Sequence, residues 1–202
     1  IYQYNPPSAQ RVLAADVSYM ISDILSDNDA RKDTFGSSSY LTIPGFTVAV
    51  KTGTTDDKRD NWTVGYTPSV VVGAWVGNND NSPMNQALAS GVTGAAPILR
   101  RIILAALSGK KDEPFIRPSS IIDMDIDAYG GGTPVSGTPT RREKFIKGTE
   151  PTALAYIYKN IKVSRHDNNK LANAVEIGNG QYDLKQYVVF SEQDPVSTDG
   201  KK

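Results

Sequence analysis

The stretch KTGTTDDKRDNWTVGYTPSVVVGAWVGNN, residues 51–79, decides the fold of this chain. It contains two strand-like runs, Trp62–Tyr66 and Val70–Val76, separated by turn-forming residues. An extended run over Phe46–Lys51 leads into it. The pattern predicts three antiparallel strands, of which the almost wholly apolar third is expected to be buried in the centre of the sheet.

Two amphipathic helices are predicted beside these strands. Apolar residues between Val17 and Leu25 recur at three- and four-residue intervals, which predicts a helix followed by a loop over Thr34–Tyr40. The same spacing predicts a second helix over Ala95–Leu107, with the inward residues Ile98, Leu99, Ile102, Ile103 and Leu107. The fold class is therefore α+β, an antiparallel sheet flanked by helices.

The rest of the chain has a different character. Short β-like runs, Ser120–Ile126 and Tyr187–Phe190, alternate with loops rich in glycine, proline and threonine. We predict two domains, residues 1–108 and residues 109–202, the second being a linker and a loop-rich, mostly β tail. The run Asp123–Asp127 predicts a half-buried strand whose acidic side chains point outward.

Composition excludes several classes of function. The chain has 202 residues with 22 basic and 22 acidic side chains, so no basic excess is available for binding nucleic acid. It holds no cysteine, which excludes disulfides and thiolate chemistry. No metal or cofactor is predicted. The run that begins at Asp123 resembles the start of a calcium-binding loop, but it lacks the glycine at the sixth position and the glutamate at the twelfth that such loops need. Nor does the lone His166 have ligand partners at a suitable spacing.

No apolar run approaches the ~20 residues that span a bilayer. The first residue is Ile1 and not methionine. We therefore expect this chain to be an N-terminally truncated piece of a longer protein.

Lys51, Thr52, Gly53 and Thr54 offer groups suited to acyl transfer. The lysine supplies positive charge for a substrate carboxylate and can assist proton transfer. Gly53 lets a substrate lie against the strand, and the N–H of Thr54 can then point into a cleft as an oxyanion donor. An exposed turn without catalytic function could also contain Lys-Thr-Gly. The residues around the tripeptide therefore decide between an active-site strand and such a turn. Trp62 is predicted, with Trp75, to anchor the core, although it could line the cleft instead.

Residues 51–84 resemble the transpeptidase domain of class A penicillin-binding proteins. In that family K-T-G-T-T is followed by an acidic turn, an aromatic-V-G-Y-T-P hairpin and a V-V-G-x-W-V-G-N strand. Gly91–Ile98 is similar to the family's T-G-x-x-A-A-P-I segment, and Arg141–Phe145 and Gly148–Thr152 are similar to its R-x-E-x-F and G-T-E-P-T segments. The likeness runs in the family's order over about residues 12–152, and implies a partial penicillin-binding, β-lactamase-like fold.

The resemblance also implies roles for the motif residues. Lys51 and Thr54 would be catalytic, and both would bind substrate together with Thr52 and Gly53. The two threonines would grip the substrate carboxylate, and the N–H of Thr54 would form half of an oxyanion hole. The family's other catalytic motifs, S-x-x-K with the nucleophile and S-x-N, have no convincing match here.

Two short matches to the missing motifs are interpreted as helix ends. Ser26-Asp27-Asn28 matches S-x-N, but it stands at the end of the first predicted helix. It is also too close to Lys51, because the family's S-x-N lies much further upstream of K-T-G. The sequence from Ser108 to Lys111 spells S-x-x-K, but it comes after K-T-G and contains a helix-breaking glycine. We predict that neither serine is a nucleophile and that the chain alone is inactive.

The resemblance implies a fragment of a peptidoglycan D,D-transpeptidase that cross-links stem peptides ending in D-Ala-D-Ala through an acyl-serine and is inhibited by β-lactams. It also implies a glycosyltransferase domain upstream and a location at the extracytoplasmic face of the bacterial cell membrane, through an anchor outside this chain. Two alternatives stay open. One is a β-lactamase or β-lactam sensor of the same fold, and the other is a wall-glycan or protein-binding module in residues 115–202.

Overall fold

The computed structural model describes residues 10–85, 90–167 and 170–189. Contacts between residues divide the chain into two compact units, Ile1–Ile121 and Ile122–Lys202. The predicted division into residues 1–108 and 109–202 concerns family domains and stays a prediction.

Helices and an antiparallel sheet make up the described part of the first unit. The helices are α1 (Ala15–Ser26), α2 (Asn28–Phe35) and α3 (Ala95–Leu107). The strands are β1 (Ala49–Thr54), β2 (Asp60–Tyr66) and β3 (Val71–Gly77), with a short 3-10 helix (Asp56–Lys58) between the first two. The predicted α+β class is confirmed.

The sheet has the strand order β1-β2-β3 with antiparallel pairing throughout. The prediction that the third strand is central was wrong, because β2 lies between the other two. Val72 and Ala74 are buried in β3, whereas Val71 is 72% exposed and Trp75 is 42% exposed. Helix α3 contacts β2 and β3 and covers the buried face. The apolar sequence of β3 therefore buries only one of its two faces in the described structure.

Strand β1 begins later than the predicted Phe46 and continues through the K-T-G residues. Before Ala49 the backbone is held by a side chain instead of a neighbouring strand. The N–H of Thr47 donates to Asp112 Oδ1 at 2.6 Å, and Thr47 Oγ1 donates to Asp112 Oδ2 at 2.8 Å. Asp112 thus takes the backbone N–H of Thr47, and pairing with β2 begins at Ala49.

Helix α1 confirms the first predicted helix, but α2 was missed. Asp27 ends α1 and caps α2, because its Oδ1 accepts the N–H of Ala30 at 2.9 Å. The predicted loop over Thr34–Tyr40 begins within the last turn of α2. The sequence of α2 has no apolar stripe and the helix buries no residue, so hydrophobic periodicity could not reveal it.

Helix α3 has the predicted bounds and packs one stripe of side chains on the sheet. Leu99, Ile103 and Leu107 are buried, as predicted. Ile98 and Ile102 are 44% and 48% exposed, which corrects their inward assignment. Each lies one residue, or about 100°, from the buried stripe, and the described structure places no element over that side of the helix.

The second unit contains β strands and a short helix. The strands are β4 (Ile121–Asp127), β5 (Thr140–Ile146), β6 (Tyr158–Ser164) and β7 (Tyr182–Val188), and the helix is α4 (Ala174–Gly178). Strand β4 pairs with β5, and β6 pairs antiparallel with β7. The mostly β character is confirmed, although β7 begins before the predicted Tyr187, and Phe190 lies outside the described residues.

Asp127 is a buried carboxylate at the end of β4, which corrects the prediction that the acids of this strand point outward. It accepts hydrogen bonds from Tyr158 Oη at 2.6 Å, Gly130 N at 2.7 Å, and Tyr129 N and Thr138 Oγ1 at 3.0 Å. Burial raises the pKa of this group, but the four hydrogen bonds outweigh burial and lower the pKa to about 2. Asp127 thus ties the loop after β4 to β6.

We expect Asp127→Asn to lower the melting temperature of the second unit by about 10 °C or more, because an amide cannot accept all four hydrogen bonds. The pKa of Asp127 is depressed on folding, from an ordinary 3.8 to about 2. Its contribution to stability is therefore present above about pH 4 and is lost as the pH falls towards 2. The variant should lose this part of the acid dependence.

The backbone amide NMR signals of β6 and β7, followed with temperature, report on the second unit in this variant, because tyrosines lie in both units and their optical signal would not separate them. Asp125→Asn is the matched control. Asp125 is on the same strand, but its side chain is 58% exposed and forms an exposed ion pair with Arg142. Equal shifts in the two variants would contradict the role given to Asp127.

Candidate active site

The K-T-G residues lie along β1, at an edge of the described sheet. The N–H of Thr55 donates to the carbonyl of Asp60 at 3.0 Å, and the register pairs Gly53 with Trp62. Hydrogen-bonded and non-bonded pairs alternate in an antiparallel ladder. Gly53 therefore bonds to β2, whereas the N–H groups of Thr52 and Thr54 are directed to the free edge.

The side chains of the motif alternate between the two faces of β1. Lys51 and Gly53 share one face with Trp62, whose Cβ lies 3.9 Å from the place of a Cβ on Gly53. Thr52 and Thr54 lie on the opposite face. Lys51 is exposed, and its Nζ donates to the carbonyl of Thr52 at 2.5 Å. The edge thus presents an ammonium group and free backbone donors within a few residues.

A cavity of about 150 Å³ lies beside Lys51 and Thr52. Its remaining lining residues come mainly from α1, α2 and the segment before β1: Ile24, Leu25, Arg31, Phe35, Leu41 and Val50. The guanidinium of Arg31 donates to the backbone carbonyls of Leu25, Asp27 and Leu41. Burial lowers the pKa of Arg31, and the charge of Asp27 opposes this effect. Arg31 therefore joins the two helices to the segment that precedes β1.

The known proteins that are similar in sequence to this chain include several penicillin-binding proteins. The chain is 27% identical to penicillin-binding protein 1A/1B of Bacillus subtilis (strain 168) over 82% of this chain and 20% of that protein. It is 30% identical to penicillin-binding protein 1A of Pseudomonas aeruginosa over 67% of this chain and 16% of that protein. Penicillin-binding protein 1A of Escherichia coli (strain K12) is 34% identical over 52% of this chain and 14% of its own length.

The chain belongs to the class A penicillin-binding protein family. It spans only 14–20% of the length of these three relatives. A crystal structure of penicillin-binding protein 1A from Haemophilus influenzae aligns with a TM-score of 0.48 and 32% identity, covering 54% of this chain and 16% of that chain. No protein-family model matches the sequence.

The two serines that imitate the other motifs of penicillin-binding proteins occupy helix ends. Ser26 is the last residue of α1, and its Oγ donates to the carbonyl of Asp23 at 3.1 Å. Ser108 caps the C-terminus of α3, and Gly109 follows with a φ of +75°, a conformation that stops helices. Both interpretations as helix ends are confirmed.

The prediction that Trp62 and Trp75 anchor the core of this segment was wrong. Trp62 and Trp75 pair across β2 and β3 and are 49% and 42% exposed, so neither anchors the core of the described structure. Trp62 instead stands beside Gly53. The importance of Arg31 was also missed, because three carbonyl acceptors that meet only in the fold leave no signal in sequence.

Within the described residues, no cluster of three or more His, Cys, Asp or Glu side chains could hold a metal ion. His166 is exposed in the bend after β6. In the same part of the chain, none of the helices is both long and apolar enough to cross a membrane.

Proposed function

We propose that this chain forms the K-T-G wall of a peptidoglycan D,D-transpeptidase active site within a longer penicillin-binding protein. The free edge of β1 carries the proposal, because it combines the exposed ammonium of Lys51 with the outward N–H of Thr54. An extended peptide can add to such an edge as a further strand. Its backbone is then held in register while the side chains of the motif contact its end.

A stem peptide ending in D-Ala-D-Ala has both groups that this edge can recognise. Its terminal carboxylate would lie at the edge of β1, where the ammonium of Lys51 would reach it from one face and the hydroxyls of Thr52 and Thr54 from the other, through charge-assisted hydrogen bonds. Its scissile carbonyl oxygen would accept from the N–H of Thr54, which stabilises the negative charge that develops there during attack. Gly53 leaves the strand accessible to the peptide. A β-lactam offers the same carboxylate and carbonyl and would occupy the same place.

The nucleophile of this reaction would come from upstream of the present chain. A serine oxygen would form a bond to the carbonyl carbon, the peptide C–N bond would break, and D-alanine would leave with a proton on its amine. An acceptor amine would then displace the serine, which regains a proton. With no nucleophile of its own the isolated chain would be inactive. The complete protein would work outside the cytoplasmic membrane, where peptidoglycan is cross-linked.

Incubation with excess penicillin and intact-mass measurement tests this proposal. The 202-residue chain should gain no adduct, whereas a longer protein that includes the upstream S-x-x-K motif should gain one penicilloyl group. Tryptophan fluorescence must first establish that the short chain is folded. An adduct on the short chain would contradict the proposal and, after peptide mapping, would identify Ser26, Ser108 or another residue as the nucleophile. Rapid turnover of penicillin by the longer protein would favour a β-lactamase.

A further inference from the structure

Gly91 connects three elements of the first unit around the motif strand. Its N–H donates to Thr54 Oγ1 at 3.0 Å. Its carbonyl accepts from Thr63 Oγ1 at 2.9 Å and from the N–H of Ala96, in the first turn of α3, also at 2.9 Å. One residue thereby links the end of β1 to the middle of β2 and to the N-terminus of α3.

The backbone at Gly91 approaches the K-T-G residues too closely for any side chain. A Cβ at this position would lie 2.8 Å from Thr52 Cβ, 3.0 Å from the carbonyl oxygen of Trp62 and 3.2 Å from that of Gly53. Contacts of this length would displace the backbone at Gly91 or the strand. Glycine is therefore required here by close approach, and the backbone at Gly91 lies directly on the motif.

Thr63 holds Gly91 from the interior of the sheet. Its side chain is fully buried, at 0% exposure, and it lies opposite Thr52 in the register of β1 and β2. A buried hydroxyl needs a hydrogen-bond partner, and the carbonyl of Gly91 provides it. This hydrogen bond holds the backbone at Gly91 in place relative to β1 and β2.

We propose that Gly91 and Thr63 are positioning residues that orient the hydroxyl of Thr54 towards a substrate carboxylate. A hydroxyl has one proton and two lone pairs. Because Gly91 N–H occupies a lone pair of Thr54 Oγ1, the proton of that hydroxyl points elsewhere and is available to a carboxylate at the strand edge. This inference rests on the proposed function, and it extends the site to two residues that do not contact substrate.

Carboxylate selectivity in the longer protein tests the inference. The second-order rate of acylation is measured with benzylpenicillin and with its methyl ester, which lacks the negative charge. Thr63→Val should lower the rate with benzylpenicillin roughly tenfold and leave the rate with the ester almost unchanged, whereas Thr63→Ser should restore selectivity. A variant that merely damages the fold would slow both compounds equally.

Thr67→Val is the control, because Thr67 is also buried in this sheet region but its Oγ1 accepts from the N–H of Val70 in the turn between β2 and β3. It should leave the ratio of the two rates unchanged. An unchanged ratio in Thr63→Val would overturn the inference. An unmodified longer protein that is not acylated would instead contradict the proposed function.

Amide hydrogen exchange in the 202-residue chain tests the contact without any catalysis. The Gly91 amide should exchange slowly, and Thr54→Val should accelerate its exchange at least tenfold by removing the acceptor. Thr52→Val is the matched variant on the same strand and should leave that amide protected. Rapid exchange in the unmodified chain, or equal effects of the two variants, would overturn the inference whatever the outcome with penicillin.

Discussion

Lys51→Ala is expected to lower the rate at which penicillin acylates the longer protein by about 100-fold or more. In the proposed function this ammonium would meet the substrate carboxylate and assist proton transfer, and each of these effects contributes strongly to such reactions. Lys51 is exposed on β1, so the fold should be retained. The rate is obtained from the growth of the penicilloyl adduct by intact mass at several penicillin concentrations.

Lys111→Ala is the matched control for this experiment. It removes the same charge from an exposed position after α3, and it also removes the lysine of the S-x-x-K imitation. We expect its rate to stay within about twofold of the unmodified protein, because exposed charges at a distance are screened. Retention of more than a third or so of the rate in Lys51→Ala would contradict the role proposed for Lys51.

Leu99→Ala is expected to destabilise the first unit by about 2–5 kcal/mol, because it leaves a cavity between α3 and the sheet. Leu99 has 0% exposure, and its two methyl groups lie 3.3 Å from the place of a Cβ on Gly65 in β2. The side chain therefore fills the space that the glycine leaves open. A loss of this size is a large part of the 5–15 kcal/mol that typically stabilises a domain.

Urea unfolding followed by tryptophan fluorescence measures this loss, since both tryptophans lie on β2 and β3 of the first unit. Ile102→Ala is the control on the same helix. Its side chain is 48% exposed, so the free energy of unfolding should fall by less than about 1 kcal/mol. A similar loss in both variants would show that Ile102 is covered in solution and that α3 packs differently.

Local patterns in the sequence predicted the main elements of the first unit. The apolar spacing from Val17 onwards and over Ala95–Leu107 predicted α1 and α3, and the strand-like runs between turn-forming residues after Lys51 predicted β2 and β3. These predictions succeed because a buried stripe leaves a periodic signal in sequence. Helix α2 leaves no such signal, since it is stabilised by a cap and buries nothing.

The sequence by itself determined the family, the helices α1 and α3, the strands β1 to β3 and the motif Lys51–Thr54, because consecutive residues or residues a few positions apart carry these signals. Only the tertiary structure decided that β1 is the edge strand and β2 the central one, which fixes where the N–H of Thr54 points. It also decided that Gly91 reaches Thr54 and that Asp127 is buried among four donors. These features depend on contacts between residues distant in sequence, for which neither periodicity nor composition carries a signal.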